Sequence, residues 1–217
     1  MTATNHFAIA IDGPAASGKS TIARELAKRL GLIMVNSGAM YRAVTWQVLE
    51  HQIDPHDTAK VIELLNQLAI DCGDDGVSST LAIDGRDPGD ALRSPSVNAN
   101  VSIIAAIPEV RARLVALQRD YLNRTNVVME GRDIGSVVFP ETPYKIYVDA
   151  AEEVRAARRS DMGEVDSVAR RDAADSNRTT APLIVAEGAT VLDNSHHTVE
   201  SALEATLQIL KQQGLST

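Results

Sequence analysis

The sequence contains little of several residue types, and each scarcity excludes a class of protein. The single cysteine, Cys72, excludes an intramolecular disulfide and a cysteine-based zinc cluster, and it favours a reducing, cytoplasmic location. No hydrophobic run approaches the length of a membrane-spanning helix, and residues 1–6 do not resemble a signal peptide. Aromatic residues make up only 3% of the chain, which argues against stacking platforms for nucleic acid. We therefore expect neither a membrane nor a nucleic-acid partner.

Lysine is also scarce, and the distribution of positive charge is informative. The net charge of −8 disfavours general attraction to nucleic acid or anionic membranes. Of the 21 basic residues, 16 are arginine, and six of these fall within residues 155–178. Arginine suits planar, bidentate recognition of phosphate. An acidic chain with a local arginine cluster is typical of a protein that closes on a small phosphorylated ligand.

Residues 13–20, Gly-Pro-Ala-Ala-Ser-Gly-Lys-Ser, fit the phosphate-loop pattern G-x-x-x-x-G-K-[ST]. They follow a short apolar run and precede a segment of helical periodicity, residues 21–30, which is the context the motif requires. Glycines let backbone N–H groups surround phosphates, Lys19 reaches the β- and γ-phosphates, and Ser20 offers a hydroxyl to Mg²⁺. The alternative is an ordinary glycine-rich turn. The predicted ATP-binding residues are Gly13, Pro14, Ala15, Ala16, Ser17, Gly18, Lys19, Ser20 and Thr21.

Strand and helix patterns alternate along the chain, which predicts an α/β fold with a parallel sheet covered by helices on both faces. The predicted strands after the first are residues 32–35, 126–130, 145–149 and 189–193. The predicted helices are residues 21–30, 39–51, 57–69, 94–106, 109–122, 151–177 with a break near Gly163, and 199–212. Glycine-rich residues 70–90 predict a small antiparallel hairpin. At 217 residues, the chain suits one domain, and we expect a monomer.

The expected division has three parts, which are a core, an insertion and an arginine-rich lid. The core comprises residues 1–59, 111–157 and 179–217. The insertion spans about 60–110, and the lid spans about 158–178.

Polar residues near two strand ends are candidate ligand contacts. Gly131, Arg132 and Asp133 follow a predicted strand at its C-terminal end, where ligands bind in open α/β sheets. Ser37 and Tyr41, four residues apart, share one side of a helix near its N-terminus. A surface turn is the less favoured alternative for the first group, and a helix cap with a half-buried aromatic is an equally favoured alternative for the second.

The arginine-rich stretch offers a further candidate group. Arg171, Asp175 and Arg178 are spaced to share one helix face. A solvated salt-bridge ladder is the alternative, but arginine preceding aspartate is the less stabilising order on a helix. This order favours a ligand-facing role.

The sequence lacks the signature motifs of two classes of phosphate-loop protein. The chain has no Asn-Lys-x-Asp motif, which reads guanine in regulatory GTPases, and no Ser-Gly-Gly signature of transport ATPases. An early phosphate loop, an insertion and a late arginine-rich segment indicate a small-molecule kinase. Such an enzyme needs arginines because phosphoryl transfer depends mainly on positioning and charge stabilisation.

Several segments together resemble bacterial cytidylate kinases. They are Ile11–Pro14, Asn36–Arg42, Glu130–Gly135 with Val137–Pro140, Lys145–Ala150, and Arg171–Arg178 followed by Ala181–Leu183. The resemblance runs in order from about residue 7 to residue 193. It implies transfer of the γ-phosphoryl group of ATP to CMP or dCMP with Mg²⁺, giving ADP and the diphosphate. It also implies the nucleoside monophosphate kinase fold, with a five-stranded parallel core sheet.

The resemblance assigns roles residue by residue. The implied CMP site comprises Ser37, Tyr41, Arg42, Ser102, Arg111, Arg132, Asp133, Arg171, Asp175 and Arg178. Three arginines of this set, Arg42, Arg132 and Arg178, hold the acceptor phosphate, while Arg171 and Asp175 meet the ribose. The implied catalytic residues are Lys19, Arg132, Arg158 and Arg178, and Ser20 and Glu130 (through water) hold Mg²⁺.

Ser102, Arg111 and Asp133 are implied to read cytosine, and the chemistry agrees. A carboxylate accepts a hydrogen bond from the cytosine amino group N4, whereas uracil presents an oxygen there. We therefore expect a preference for CMP over UMP.

Two features depart from the family pattern. Asn36 stands where an acidic residue is usual, and the segment between Arg159 and Arg171 is shorter than a typical lid. A short lid could raise the hydrolysis of ATP without an acceptor. The remaining alternatives are a kinase for another small acceptor, such as UMP, AMP or a non-nucleotide, and a nucleotide-binding regulator without transfer activity.

Overall fold

The computed structural model of the protein describes residues 6–161, 172, 173, 175 and 181–216. The strands of this part of the chain are β1 (Ala8–Asp12), β2 (Ile33–Asn36), β3 (Ile70–Asp74), β4 (Ser79–Ile83), β5 (Val127–Gly131), β6 (Lys145–Asp149) and β7 (Thr190–Asp193). Its α-helices are α1 (Lys19–Leu30), α2 (Ser37–Glu50), α3 (Thr58–Gln67), α4 (Pro95–Ile104), α5 (Pro108–Asp120), α6 (Glu152–Asp161) and α7 (Val199–Gln212). Two 3₁₀ turns, Gly89–Arg93 and Tyr121–Asn123, and a short π-helix, Ile134–Val138, complete the description.

Five strands form the central sheet in the order β2-β5-β1-β6-β7, and every described pairing is parallel. The two central strands, β1 and β5, are buried along their whole length. They are apolar in most positions because helices cover both of their faces. The C-terminal ends of β1, β2, β5 and β6 therefore meet at one edge of the sheet, where loops can form a binding site.

Two hydrophobic clusters fix the helices against the two faces of the sheet. On one face, Ile22 and Leu26 of α1 pack with Leu210 of α7 against buried strand residues. On the other face, Val115 of α5 and Ile134 of the π-helix pack against the same strands. The alternating strand and helix patterns correctly predicted this α/β architecture and its parallel core sheet.

A third hydrophobic cluster lies beside the sheet. It is built from α2, α3, the hairpin strands β3 and β4, α4 and α5, with Val44, Leu65, Ile83, Ile104 and Leu114 among its buried members. The hairpin pairs antiparallel, as the glycine-rich sequence predicted. Its turn also contacts the sheet, because the Met34 N–H donates to the Val77 carbonyl oxygen at 3.0 Å.

The structure differs from the sequence predictions at several boundaries. Helix α1 begins at Lys19 rather than at residue 21, and α2 begins at Ser37 rather than at residue 39. Helix α5 begins at Pro108 rather than at residue 109, because proline fits the first helical turn, where its missing N–H needs no partner. The π-helix was not predicted. No helix in the described part of the chain combines the length and apolar character needed to cross a membrane.

Candidate active site

The phosphate loop follows β1 and adopts a backbone conformation that suits an anion. Gly13, Ala16 and Gly18 have positive φ angles of 151°, 58° and 95°. At position 13 a Cβ atom would lie 2.0 Å from the Val148 carbonyl oxygen, so only glycine fits. Gly18 is the N-cap of α1 and offers no side-chain acceptor to the first N–H groups of the helix. A phosphate can fill that role.

The side chains of Lys19 and Ser20 are already ordered by hydrogen bonds. The Lys19 ammonium is buried and donates to the Pro14 carbonyl oxygen at 2.9 Å. The Ser20 hydroxyl donates to Glu130 Oε1 at 2.8 Å, and the Ser37 hydroxyl donates to the Glu130 carbonyl oxygen at 2.8 Å. Glu130 therefore stands directly beside the end of the phosphate loop.

The Ser20–Glu130 pair fits a magnesium ion that arrives with a nucleotide. A hydroxyl and a carboxylate are the hard oxygen donors that Mg²⁺ prefers, and Mg²⁺ usually takes its remaining ligands from phosphates and water. No cluster of three or more His, Cys, Asp or Glu side chains suited to a metal ion occurs among the described residues. Ser20 and Glu130 together offer two oxygen donors to such an ion.

Arg158 and Asn194 hold the back of the phosphate loop. Arg158 Nη1 and Asn194 Nδ2 donate to the same acceptor, the Ser17 carbonyl oxygen, at 3.2 and 2.8 Å. Arg158 Nη2 also donates to the Asn194 carbonyl oxygen at 2.8 Å. The contact is close, because a Cβ atom on Gly18 would lie 2.3 Å from Asn194 Nδ2. Arg158 thus reaches the phosphate loop from α6.

A carboxylate from the late arginine-rich region also meets the phosphate loop. Asp172 Oδ1 accepts the Ala15 N–H at 3.1 Å, and Asp172 forms an ion pair with Arg155. Arg155 Nε donates to the Ala150 carbonyl oxygen at 2.9 Å, which anchors this arginine to the end of β6.

A buried ion pair lies on the opposite side of the cleft. Arg111 of α5 and Asp133, just after β5, form a salt bridge in which the side chains are only 4% and 6% exposed. Arg111 Nη1 also donates to the Ala105 carbonyl oxygen at 3.3 Å, and its guanidinium lies 5.6 Å from the centre of the Tyr41 ring. Hydrogen-bond donors and an acceptor therefore lie side by side on an apolar wall.

A second ion pair lies next to the first. Arg132 Nε donates to Asp175 Oδ2 at 2.9 Å, and the Ser102 hydroxyl donates to Asp175 Oδ1 at 3.4 Å. Arg42 donates to the Leu92 carbonyl oxygen at 3.3 Å and to Asn98. Side chains from α4 and the loop after β5 therefore meet at Asp175, and Arg42 of α2 lines the same cleft.

One cleft of about 520 Å³ brings most of the predicted site residues together. Those that line it are Ala15, Ala16, Gly18, Lys19, Ser20, Thr21, Ser37, Tyr41, Arg42, Ser102, Arg111, Glu130, Arg132, Asp133, Arg158 and Asp175. Gly13, Pro14 and Ser17 belong to the phosphate loop but do not line the cleft. Arg171 and Arg178 lie outside the described residues.

Sequence reasoning missed part of the cleft. Asn194, His197, Thr198, Val199 and Ala202 also line it. The signal was available, because Asn194 directly follows the C-terminal end of β7, and the same rule had already singled out the residues after β5.

The comparison with protein families decides where this chain belongs. The model of the family described as "Cytidylate kinase" matches residues 9–212. The chain is a member of the cytidylate kinase family.

Individual relatives support this membership. A cytidylate kinase of Clostridium botulinum (strain Loch Maree / Type A3) is 38% identical over 218 residues, which cover 95% of this chain and 99% of the relative. A cytidylate kinase of Corynebacterium diphtheriae is 40% identical, and the match covers 94% of each chain. Among solved structures, an unliganded sugar kinase from Janibacter sp. HTCC2649 has 15% identity and a TM-score of 0.52, with 95% of each chain covered. That likeness extends to the fold alone.

Proposed function

We propose that this protein transfers the γ-phosphoryl group of ATP to CMP or dCMP, forming CDP or dCDP and ADP, in pyrimidine nucleotide metabolism. Its membership in the cytidylate kinase family and the names of its relatives support this activity. The cleft supports it as well, because a phosphate loop and a polar pocket for a second ligand share one cavity.

The observation that carries the choice of acceptor is the buried Arg111–Asp133 pair. Cytosine presents an amino donor next to ring nitrogen and carbonyl acceptors, which matches a carboxylate next to a guanidinium. Ser102, which also lines the cleft, adds a hydroxyl donor. Uracil would place an oxygen against the carboxylate, and a site built for a donor strongly rejects a ligand that lacks it.

Phosphoryl transfer in this site needs no covalent nucleophile. A phosphate oxygen of CMP attacks the γ-phosphorus, and the bond to the ADP leaving group breaks. Lys19 and the arginines at 132, 158 and 178 stabilise the charge on the transferring group. When Mg²⁺ is bound with ATP, it neutralises the charge on the β- and γ-phosphates, and Ser20 and Glu130 would hold it.

Acceptor binding in this proposal exchanges ion-pair partners. Arg132 pairs with Asp175, and Arg42 bonds to Asn98 and to the Leu92 carbonyl. The CMP phosphate would take over these two arginines together with Arg178, while Asp175 and Arg171 turn to the ribose hydroxyls. The remaining contacts would come from Ser37 and Tyr41.

We also propose the finer assignments that the family leaves open. They are Mg²⁺ as the cofactor, a monomeric state, a cytoplasmic location, and no nucleic-acid or membrane partner. The single cysteine supports the cytoplasmic location, and the net charge of −8 supports the absence of nucleic-acid and membrane partners. The division into core, insertion (about 60–110) and lid (about 158–178) is likewise a proposal. The separate hydrophobic cluster of α2 to α5 supports the insertion.

The test is ADP release from Mg·ATP with CMP, dCMP, UMP, AMP and GMP as acceptors. We expect fast turnover with CMP and dCMP and slow turnover with the other three. Turnover centred on another acceptor would overturn the assignment of Ser102, Arg111 and Asp133. ATP binding without turnover on any acceptor would leave a nucleotide-binding regulator.

A further inference from the structure

Asp12, a buried carboxylate, stands at the point where the two halves of the cleft meet. It is the last residue of β1, it is only 4% exposed, and the phosphate loop begins at the next residue. In the central sheet Asp12 pairs with Gly131 of β5, which directly precedes Arg132 and Asp133. Asp12 itself does not line the cleft. Burial of a carboxylate is unfavourable unless hydrogen bonds stabilise it, so its partners explain its presence.

The partners of Asp12 are two backbone N–H groups that are far away in sequence. Oδ1 accepts the Ile134 N–H at 2.8 Å, and Oδ2 accepts the Gly135 N–H at 2.7 Å. These residues begin the π-helix Ile134–Val138, whose N-cap is Asp133. The first N–H groups of a helix have no partner within the helix. Asp12 supplies the partners across the sheet, with one oxygen for each N–H.

This contact fixes the backbone that carries the acceptor-reading side chains. Ile134 directly follows Arg132 and Asp133, which form the ion pairs to Asp175 and Arg111. The other end of the loop is tightly packed, because a Cβ atom on Gly131 would lie 2.5 Å from Ser37 Oγ. Between these two restraints, the positions of the Arg132 and Asp133 side chains depend on the Asp12 bonds.

The environment of Asp12 shows opposing effects on its charge. Burial is the main cause that raises the pKa of Asp12 to about 7, and the nearby Asp133 carboxylate acts in the same direction, whereas the two N–H bonds and Lys19 lower the pKa. The N–H bonds therefore stabilise the ionised form in a place that disfavours charge.

We propose that Asp12 is a positioning residue that holds the Arg132–Asp133 backbone at a fixed spacing from the phosphate loop, and so sets acceptor affinity and base selectivity. Asp12 acts through these two residues and touches neither substrate. The inference rests on the proposed function, since it specifies how the acceptor half of that site is held in register with the donor half.

Asp12→Asn is the decisive variant because it keeps the shape of the side chain. Its amide has one oxygen and one NH₂ group, so it can accept only one of the two N–H groups and presents a donor to the other. Loss of a hydrogen bond to a charged group weakens an interaction by about tenfold or more. At about pH 8.5, where Asp12 is ionised, we expect the KM for CMP to rise about tenfold and the CMP-to-UMP ratio of kcat/KM to fall by a similar factor, while the KM for ATP changes less than twofold.

Asp75→Asn is the matched control. Asp75 also accepts two backbone N–H groups, from Val77 and Ser78 at 2.9 and 2.7 Å, but both bonds converge on one oxygen, Oδ1. Its asparagine variant can therefore keep both bonds, and Asp75 does not line the cleft. We expect the KM for CMP and the CMP-to-UMP ratio to match those of the unmodified protein.

Several outcomes separate this inference from its alternatives. If Asp12→Asn lowers the unfolding temperature but leaves the KM for CMP and the base ratio unchanged, Asp12 is only structural and the inference is wrong. Equal losses of ATP and CMP affinity would also overturn it. If the unmodified protein does not prefer CMP to UMP, the proposed function fails, and the inference fails with it.

A second variant, Asp12→Glu, tests the inference if Asp12→Asn does not fold. Asp12→Glu keeps both oxygens and the charge but adds a methylene, so it displaces the loop without leaving an N–H unpaired. In Asp12→Glu the KM for CMP should rise while the KM for ATP changes less than twofold, because the loop is displaced although both N–H groups keep an acceptor. Hydrogen exchange at the Ile134 and Gly135 amides should become faster in folded Asp12→Asn, and unchanged protection at both amides in that variant would contradict the proposed bonds.

Discussion

The donor half and the acceptor half of the cleft are built on different principles. The donor half is mainly backbone, since residues 13–20 form one continuous loop whose conformation follows from its glycines. The acceptor half consists of charged side chains paired across elements, Arg111 with Asp133 and Arg132 with Asp175. The buried cation of the donor half, Lys19, bonds to a backbone carbonyl oxygen, that of Pro14. The charged side chains of the acceptor half pair with one another, so removal of one partner leaves the other buried without a counter-charge.

The largest effect should come from removing one member of a buried ion pair, because the other member then remains buried without a counter-charge. Asp133→Ala leaves the Arg111 guanidinium buried without its carboxylate, and we expect the free energy of unfolding to fall by about 3–5 kcal/mol. The CMP-to-UMP ratio of kcat/KM should fall as well. Urea unfolding and steady-state kinetics measure the two effects.

The double variant Arg111→Met/Asp133→Leu is the control for this prediction. It removes both charges, so it should lose less stability than Asp133→Ala while losing the same base selectivity. A double variant that is less stable than the single one, or an unchanged base ratio in Asp133→Ala, would contradict the interpretation.

On the donor side, Lys19→Met should reduce catalysis and leave folding intact. Loss of one positioned cation should lower kcat about 10²–10³-fold, since transition-state charge is then less stabilised. The affinity for CMP, measured by equilibrium binding, should change little because Lys19 belongs to the other half. Lys60→Met is the control, since the Lys60 side chain is 66% exposed and pairs with Asp57 on the surface. A kcat reduced less than tenfold would count against the role of Lys19.

A pH series of the free energy of unfolding tests Asp12, which lies between the donor half and the acceptor half of the cleft. Because the pKa of Asp12 is raised from 3.8 to about 7, the native state holds a proton between about pH 4 and 7 that the unfolded chain releases. This group therefore lowers stability as pH rises through that window, by up to about 1.4 kcal/mol per pH unit, and contributes a constant cost above it.

Asp12→Asn removes this dependence. Relative to the unmodified protein, its free energy of unfolding should rise between pH 4 and 7 and run parallel above pH 7. Chemical denaturation at each pH measures the difference in free energy of unfolding between the two proteins. Contributions from the other titrating groups cancel in this difference because both proteins contain them. Parallel curves across the whole range would show that Asp12 titrates normally.

The smallest effect should come from the helix that begins the acceptor half. Asn36 caps α2, because its Oδ1 accepts the Ala39 N–H at 3.0 Å. Asn36→Ala should therefore lower the free energy of unfolding by about 1 kcal/mol, whereas Asn36→Asp keeps the bond and should lose less. Thermal unfolding distinguishes the two variants. The asparagine at this departure from the family pattern thus preserves the cap that an acidic residue would provide.

The contrast between the halves also explains what could be predicted from sequence. The phosphate loop, Lys19 and Ser20 lie in one short segment, so their roles follow from local spacing. The Arg111–Asp133 pair joins residues 22 positions apart on different elements, and its members were indicated separately, Asp133 by its place after a strand and Arg111 by the resemblance to a family. The π-helix was missed because its N-terminal N–H partners come from Asp12, more than 120 residues earlier. Asn194 could be predicted only by applying to β7 the rule that ligands bind beyond the C-terminal ends of parallel strands.

The contact between the hairpin turn and β2 has a consequence for assembly. Strand β2 ends the core sheet, and an exposed sheet edge is a template for pairing with another chain. The hairpin turn occupies part of that edge through the bond from Met34 to Val77 and a bridge between Met34 and Ser78. Changes that shorten or loosen the hairpin would uncover an apolar strand edge and promote aggregation. The hairpin turn thus shields part of the β2 edge, and this constrains its sequence independently of the cleft.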